Sequence, residues 1–358
     1  MLLAIDIGGT KLAVGAATRD EFAATGRLTT LVKELIPAPG DPETVIARIV
    51  EIATSMNAPG GFESIGISIG GPLDHRTGTV INFPHLPGWQ WIPLSDRLSF
   101  QLGAPARLDN DANLGALAEH RLGAGRGVSD MVYLTLSTGI GGGVIVDSAL
   151  VHGVRSSAAE VGHITVQTDG PKCACGNPGC LERMASGTNI ARAAREALAA
   201  AEQSDAANVE LSKPGAVQSG SMQLGLAGAT QADIERAKAV QSNPGMLLHE
   251  LYKRDPNALT AEHVAIAAAG GDAIAMRVWD RSMEYIAIGL GSIIHVLAPS
   301  LIVLGGGVSQ AGDLLLEPVR RHLRKHVFYV PLDEIRVELA QLGHDSAVLG
   351  AAVLATMK

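Results

Sequence analysis

The pattern that most restricts the fold of this chain is one unit written twice: an apolar strand, a turn of glycine and threonine, then a second apolar strand. The first copy is Leu2–Ile7, then Gly8-Gly9-Thr10-Lys11, then Leu12-Ala13-Val14. The second is Asp130–Leu136, then Ser137-Thr138-Gly139-Ile140-Gly141-Gly142-Gly143, then Val144-Ile145-Val146. Strand, Gly-rich turn, strand is a hairpin pattern. Adjacent glycines let the backbone approach a ligand closely and aim its N–H groups at an anion. One such turn alone reads equally well as an ordinary tight hairpin. Two of them, about 130 positions apart, predict a duplicated lobe whose loops clasp one polyphosphate from opposite sides. Asp6 interrupts the first strand beside its loop, and a carboxylate buried there needs a partner such as hydrated Mg²⁺.

A chain of 358 residues exceeds one small core and predicts one large domain or two lobes. The 28 basic and 36 acidic side chains give a formal charge of −8. With no long Lys/Arg run, nucleic acid is disfavoured as a partner. The first apolar stretch is too short for a signal peptide or a membrane span, so a cytoplasmic protein without membrane contact is expected.

Between the two hairpins, Val45, Ile46, Ile49, Val50 and Ile52 recur at helical spacing within 42–57. Ser64–Ile69 reads as a strand ending in Gly70-Gly71-Pro72, where the backbone turns sharply or meets a ligand. Asn82-Phe83-Pro84-His85-Leu86-Pro87-Gly88-Trp89 is a loop, either a structural clamp or a substrate contact. Ala106–Leu108 is a short strand feeding Asp109-Asn110-Asp111-Ala112-Asn113, with a helix over Leu114–Leu122. Helix capping accounts for one such residue. Four polar side chains in five positions exceed that need, and strand carboxyl ends are where α/β proteins place their chemistry.

After the second hairpin come Glu160-Val161-Gly162-His163 and the run Cys173-Ala174-Cys175-Gly176-Asn177-Pro178-Gly179-Cys180-Leu181-Glu182. These are the chain's three cysteines, a poor disulfide framework. Three thiolates and an imidazole make a closed four-coordinate set, the pattern of structural zinc; three buried thiols without metal is the plainer reading. Farther on, Asn189–Ala201 reads as a helix and Glu202 to about Thr230 as a Ser/Gly/Ala/Gln-rich insertion. Asp233–Val240, Thr260–Ala269, Asp272–Leu297, Asp313–Val327 and Ser346–Met357 read as helices, and Ile335–Leu339 as a strand. Leu301–Leu304 is a strand breaking into Gly305-Gly306-Gly307, a third glycine-rich strand end.

Taken in this order, the motifs resemble those of the ROK-family sugar kinases, within the actin/hexokinase/Hsp70 superfamily. The match is carried by Asp6–Lys11, Asn110–Asn113, Ser137–Gly143, Glu160–His163, the cysteine run ending in Glu182, and Gly305–Gly307. The resemblance implies an α/β, two-lobed, actin-like (ribonuclease H-like) fold around a central cleft, with a structural zinc site. It implies a first lobe over 1–110 and a second over 111–345, with zinc-binding loop 163–182 and a surface insertion at about 202–260. The closing helix at about 346–358 would pack back on the first lobe. ATP would be held by Asp6, Gly8, Gly9, Thr10, Lys11, Ser137, Thr138, Gly139, Gly305, Gly306 and Gly307, with Mg²⁺ at Asp6. Sugar would be held by Gly71, Asn82, Asn110, Asp111, Glu160, His163 and Glu182, and zinc by His163, Cys173, Cys175 and Cys180. His163 would serve both sugar and zinc, one ring nitrogen for each.

Asp111 is the candidate general base, deprotonating the 6-hydroxyl of a hexose for attack on the γ-phosphate. Glucose is the first expectation for the acceptor, with N-acetylmannosamine, N-acetylglucosamine and fructose as alternatives. Ala159 stands where many glucokinase-type members have glycine, and Ala158-Ala159-Glu160 is similar to the N-acetylmannosamine kinases. The non-enzyme rival, a sugar-responsive ROK repressor, carries a helix-turn-helix domain before the first loop; a loop beginning at Asp6 leaves no room for one. The apolar helix 272–297 allows a homodimer or homotetramer.

Overall fold

The computed structural model describes residues 1–56, 58–208 and 244–357. The first half is built on β1 (Leu2–Ile7), β2 (Lys11–Ala17), β3 (Thr30–Leu35) and β4 (Ser64–Ile69). A small meander follows, β5 (Leu73–Asp74), β6 (Thr79–Asn82) and β7 (Gln90–Ile92), then β8 (Ala106–Asn110). The five long strands form one sheet in the order β3-β2-β1-β4-β8. β1 is antiparallel to β2 and parallel to β4, which is parallel to β8. The second half repeats this plan with β9 (Met131–Leu136), β10 (Ile140–Val146), β11 (Ala149–Leu150), β12 (Leu301–Gly305) and β13 (Arg336–Leu339). Their order is β11-β10-β9-β12-β13, with the same senses of pairing. The repeat read in the two hairpins is therefore a repeat of whole sheets.

Central strands covered on both faces must be apolar along their whole length. Leu2, Leu3, Ala4 and Ile5 are fully buried, as are Leu301 to Leu304. On the first sheet lie α1 (Arg19–Thr25), α2 (Pro42–Ser55) and α3 (Leu94–Leu102); α4 (Asp111–Leu122) follows β8 directly. α2 starts where Asp41 accepts from the N–H groups of Glu43 and Thr44 and Pro42 occupies the first turn. It buries Val45, Ile46, Ile49 and Ile52, the face read from the sequence. The second half adds α5 (Leu181–Ala185), α6 (Gly187–Asn208), α7 (Pro244–Arg254), α8 (Ala261–Ala269), α9 (Ala273–Leu297), α10 (Asp313–His326) and α11 (Ser346–Thr356).

Two helices run between the sheets. α11 packs on β1 and β4, and also on α4, which packs in turn on β9 and β10. Small residues permit this closeness. A Cβ on Gly66 would stand 1.8 Å from the carbonyl oxygen of Ala351, and one on Gly350 would stand 2.0 Å from that of Leu114.

Three expectations are corrected. The second hairpin's turn is only Ser137–Gly139, because Gly141, Gly142 and Gly143 already pair with Thr135, Leu134 and Tyr133 in the ladder. Those glycines serve packing: a Cβ on Gly143 would come 2.5 Å from the Cβ of Ala116 on α4. α4 starts at Asp111, earlier than Leu114, because Asn110 caps it. The stretch 202–260 departs from a surface insertion at both ends. α6 continues to Asn208, and α7 buries Leu248 completely in the second core. The helix expected at 233–240 lies outside the described residues.

Candidate functional site

The carboxyl ends of β1, β4 and β8 meet the start of α4, and the side chains expected to do chemistry sit at that edge. Asn110 caps α4, its side-chain oxygen accepting from the N–H groups of Ala112 (2.9 Å) and Asn113 (3.4 Å). Its amide N–H₂ remains available to a ligand. Asp111 is the first helical residue, where the positive end of the helix dipole favours a carboxylate. It is open to solvent yet hemmed in by protein, and this desolvation raises its pKa. A Cβ on Gly70 would lie 3.6 Å from Asp111 Oδ2, and one on Gly141 would lie 3.1 Å from Ala112 Cβ. The helix start is thus wedged between the end of β4 and the beginning of β10.

Asp6 closes β1 and accepts from the Ser68 hydroxyl at 2.6 Å. Burial pushes its pKa up to about 6, against the opposing Ser68 hydrogen bond and with help from the charges of Asp111 and Asp345. Three carboxylates therefore share this end of the sheet, a field that favours a divalent cation. In the adjoining turn Gly8 donates to the Lys11 carbonyl (2.9 Å), which closes the loop. Thr10 and Lys11 are exposed.

The second turn and the third glycine strand end lie side by side. Gly306 has φ +83°, and a Cβ there would stand 2.4 Å from the Leu136 carbonyl oxygen, so only glycine fits. Gly305 pairs with Thr135, and Gly307 is exposed. Ser137 and Thr138 are exposed, and Gly139 accepts from the Ser137 N–H at 2.9 Å.

Gly71 (φ +87°) abuts the Asn82 backbone: a Cβ on it would lie 2.3 Å from the Asn82 carbonyl oxygen. The Asn82 side chain is exposed. Glu160 is also exposed and opens the short turn Val161–His163, its carbonyl accepting from the His163 N–H. Glu182 is placed differently from a free sugar ligand. Its Oε2 accepts from the Ile140 N–H (2.9 Å), beside Gly139, which ties α5 to the second turn.

His163, Cys173, Cys175 and Cys180 converge, their ligand atoms all within 4.8 Å of one another. Cys173 Sγ is 3.7 Å from His163 Nδ1, and Cys175 Sγ is 3.5 Å from Cys180 Sγ. Tetrahedral zinc bonds of about 2.0–2.3 Å require ligand separations of about 3.5–3.8 Å; these two pairs match that spacing, and three thiols with one imidazole are the donor types zinc takes. Backbone turns hold it in shape, with Cys173 N–H on the Asn177 carbonyl (2.8 Å) and Gly176 N–H on that of Cys173 (3.0 Å).

Two groups of side chains escaped the sequence reading. Buried Asp109 accepts from Asn113 Nδ2 (2.9 Å) and pairs with His152 Nε2 (2.6 Å); His152 stacks on His75 at 3.8 Å between centroids. His75 in turn bonds Ser156 Oγ. His85 is the other, leaning against Gly9. Asp109 and His85 both lie in stretches singled out from the sequence, but their partners are distant along the chain.

A family model described as "ROK family" matches residues 2–242 and 239–358. The chain belongs to the ROK family. A glucokinase of Thermotoga maritima is 32% identical over 353 residues, 98% of this chain and 96% of that protein. A solved ROK family glucokinase from Streptomyces griseus, in complex with glucose and AMPPNP, superposes with a TM-score of 0.72 at 30% identity, covering 99% of both chains. A xylose repressor of Caldicellulosiruptor bescii is 25% identical over 83% of this chain but 63% of its own length. Among the described residues of this ROK chain, no helix is long and apolar enough to cross a membrane.

Proposed function

We propose that this ROK protein is a sugar kinase that transfers the γ-phosphoryl group of ATP to the 6-hydroxyl of glucose. The observation that carries the reading is Asp111: a carboxylate at a helix start wedged between the end of β4 and the beginning of β10, with its pKa raised by desolvation. A base whose pKa is drawn toward the working pH accepts a proton more effectively than an ordinary aspartate. The glucokinases of Thermotoga maritima and Streptomyces griseus match nearly the whole chain at about 30% identity, which supports glucose as the acceptor.

In this reading O6 of the sugar gives its proton to Asp111 and forms a bond to the γ-phosphorus as the bond to the β-bridging oxygen breaks, releasing ADP. Asn110 Nδ2, Glu160, His163 and Glu182 Oε1 bind neighbouring hydroxyls, with Gly71 and Asn82 at the rim. Turn N–H groups at Gly8–Lys11 and Ser137–Gly139 face the phosphates, and Gly305–Gly307 lies toward the nucleoside. Mg²⁺ at Asp6 would neutralise phosphate charge. Zinc on His163, Cys173, Cys175 and Cys180 would fix the turn that carries Glu160 and the first turn of α5 that carries Glu182. The test is ADP release by the purified protein over glucose, N-acetylmannosamine, N-acetylglucosamine, fructose and mannose. Glucose should give the highest kcat/KM, and preference for an N-acetylated sugar would overturn the assignment. ADP release with none of them would leave the family's regulator class as the better reading.

A further inference from the structure

We propose that His85 contacts the transferring phosphoryl group, its ring donating to a phosphoryl oxygen between the first turn and Asp111. This rests on the kinase reading above. The loop 83–89 folds His85 directly over Gly9: a Cβ on Gly9 would come 2.9 Å from His85 Cβ and 3.3 Å from Cγ. The ring also stands edge-on to buried Phe83, with centroids 5.5 Å apart at 78°. Phe83 in turn borders Gly70, whose Cβ would lie 3.1 Å from Phe83 Cε2 and 3.6 Å from Asp111 Oδ2. Gly9, His85, Phe83, Gly70 and Asp111 thus form one continuous wall, with the imidazole between the phosphate turn and the proposed base.

Two further observations separate this role from simple packing. His85 is exposed, and its ring nitrogens have no hydrogen-bond partner among the described residues. A residue needed only to cover Phe83 would serve as well without polar atoms. The electrostatics also require a donor at this point. The charges of Asp111 and Asp345 both act on Asp6 here, and Lys33 is engaged with Asp345. A phosphoryl group moving toward Asp111 approaches a like charge. His85 stands close enough to act on that carboxyl: desolvation raises the Asp111 pKa, backbone N–H groups oppose this, and His85 adds a smaller opposing effect. A donor held where charge accumulates lowers the barrier because it needs no reorganisation.

The experiment compares the full-length wild type with His85→Ala and His85→Gln, measuring kcat with glucose and, by calorimetry, affinities for glucose and for AMPPNP·Mg²⁺. His85→Ala should lower kcat by about 10²-fold and weaken AMPPNP by about tenfold, with glucose affinity unchanged. His85→Gln keeps an N–H donor and should recover about tenfold of the lost kcat. Unchanged kcat and AMPPNP affinity in His85→Ala would overturn the inference, as would a loss confined to glucose affinity. If His85→Ala unfolds, His85→Gln decides alone: kcat about tenfold below wild type with AMPPNP still bound supports the donor role, and a folded Gln variant whose kcat is lower by about 10²-fold or more overturns it. Wild type that phosphorylates no sugar, yet loses AMPPNP affinity on His85→Ala, would sink the sugar-kinase reading and leave this one standing.

Discussion

At the scale of single residues, the account stands on two carboxylates with raised pKa values. Asp111→Asn keeps size and helix-start geometry but cannot accept a proton, so kcat should fall by about 10²-fold or more with sugar affinity retained. Steady-state kinetics beside calorimetric glucose binding checks this, and a variant with most of its turnover would reduce Asp111 to a helix-start residue. The pH dependence follows from the same shifts. Burial pushes Asp6 up to about 6 and raises Asp111 as well, and in the proposed mechanism both act as carboxylates. As pH falls through about 6 Asp6 takes up a proton, so kcat/KM for MgATP should decline there, above the range of an ordinary carboxylate; the raised pKa of Asp111 acts in the same direction. Because the two charges interact, the observed value belongs to the pair. A profile flat down to about pH 5 would contradict it. Asn110 and Asp111 were legible in the sequence because four polar side chains crowd five positions at a strand end. The pairing of Asp109 with His152 was not, since 43 positions separate them and nothing around His152 marks it locally. Ala159 shows the converse: the departure from glycine was visible, but its φ of +62°, which explains why glycine suits the site, needed the structure.

At the scale of elements, the proposed function rests on the cysteine loop and the glycine strands. His163 ends the turn opened by Glu160, and Cys180 immediately precedes α5 with its Glu182. Without metal the turn carrying Glu160 would have to be ordered by the sugar, at about 1–2 kcal/mol of backbone entropy per residue fixed, while Glu182 keeps its hold on the Ile140 N–H. Cys175→Ala should therefore raise the glucose KM by at least about tenfold. Because the Glu182 bond also steadies the second turn, the ATP KM should rise less. Metal analysis should find about one zinc per wild-type chain and less in the variant; unchanged glucose binding in metal-free protein would make the cluster a remote staple. The cysteine spacing made this element readable. The glycines of β10 misled, because glycine signals a turn locally while here it admits α4 against the sheet. α7 was missed for a related reason, since one buried Leu248 gives no periodic signal.

At the scale of the molecule, two sheets of identical strand order face their glycine turns toward the start of α4, the helix that passes from one sheet to the other. The repeat was legible because each strand–turn–strand unit is contiguous in sequence. The joining of the halves by α4 and α11 was not, because it depends on tertiary packing of Gly66 and Gly350 against carbonyl oxygens. If this arrangement aligns ATP, the acceptor and Asp111, only one hydroxyl can reach the base. The measurement that tests this most directly is phosphorus and carbon NMR of the product made by the purified protein from ATP, Mg²⁺ and uniformly ¹³C-labelled glucose. The account predicts a single phosphorus resonance coupled to C6, formed in step with ADP. Phosphate on any other carbon, a mixture of positions, or ADP formed with no sugar phosphate would contradict it.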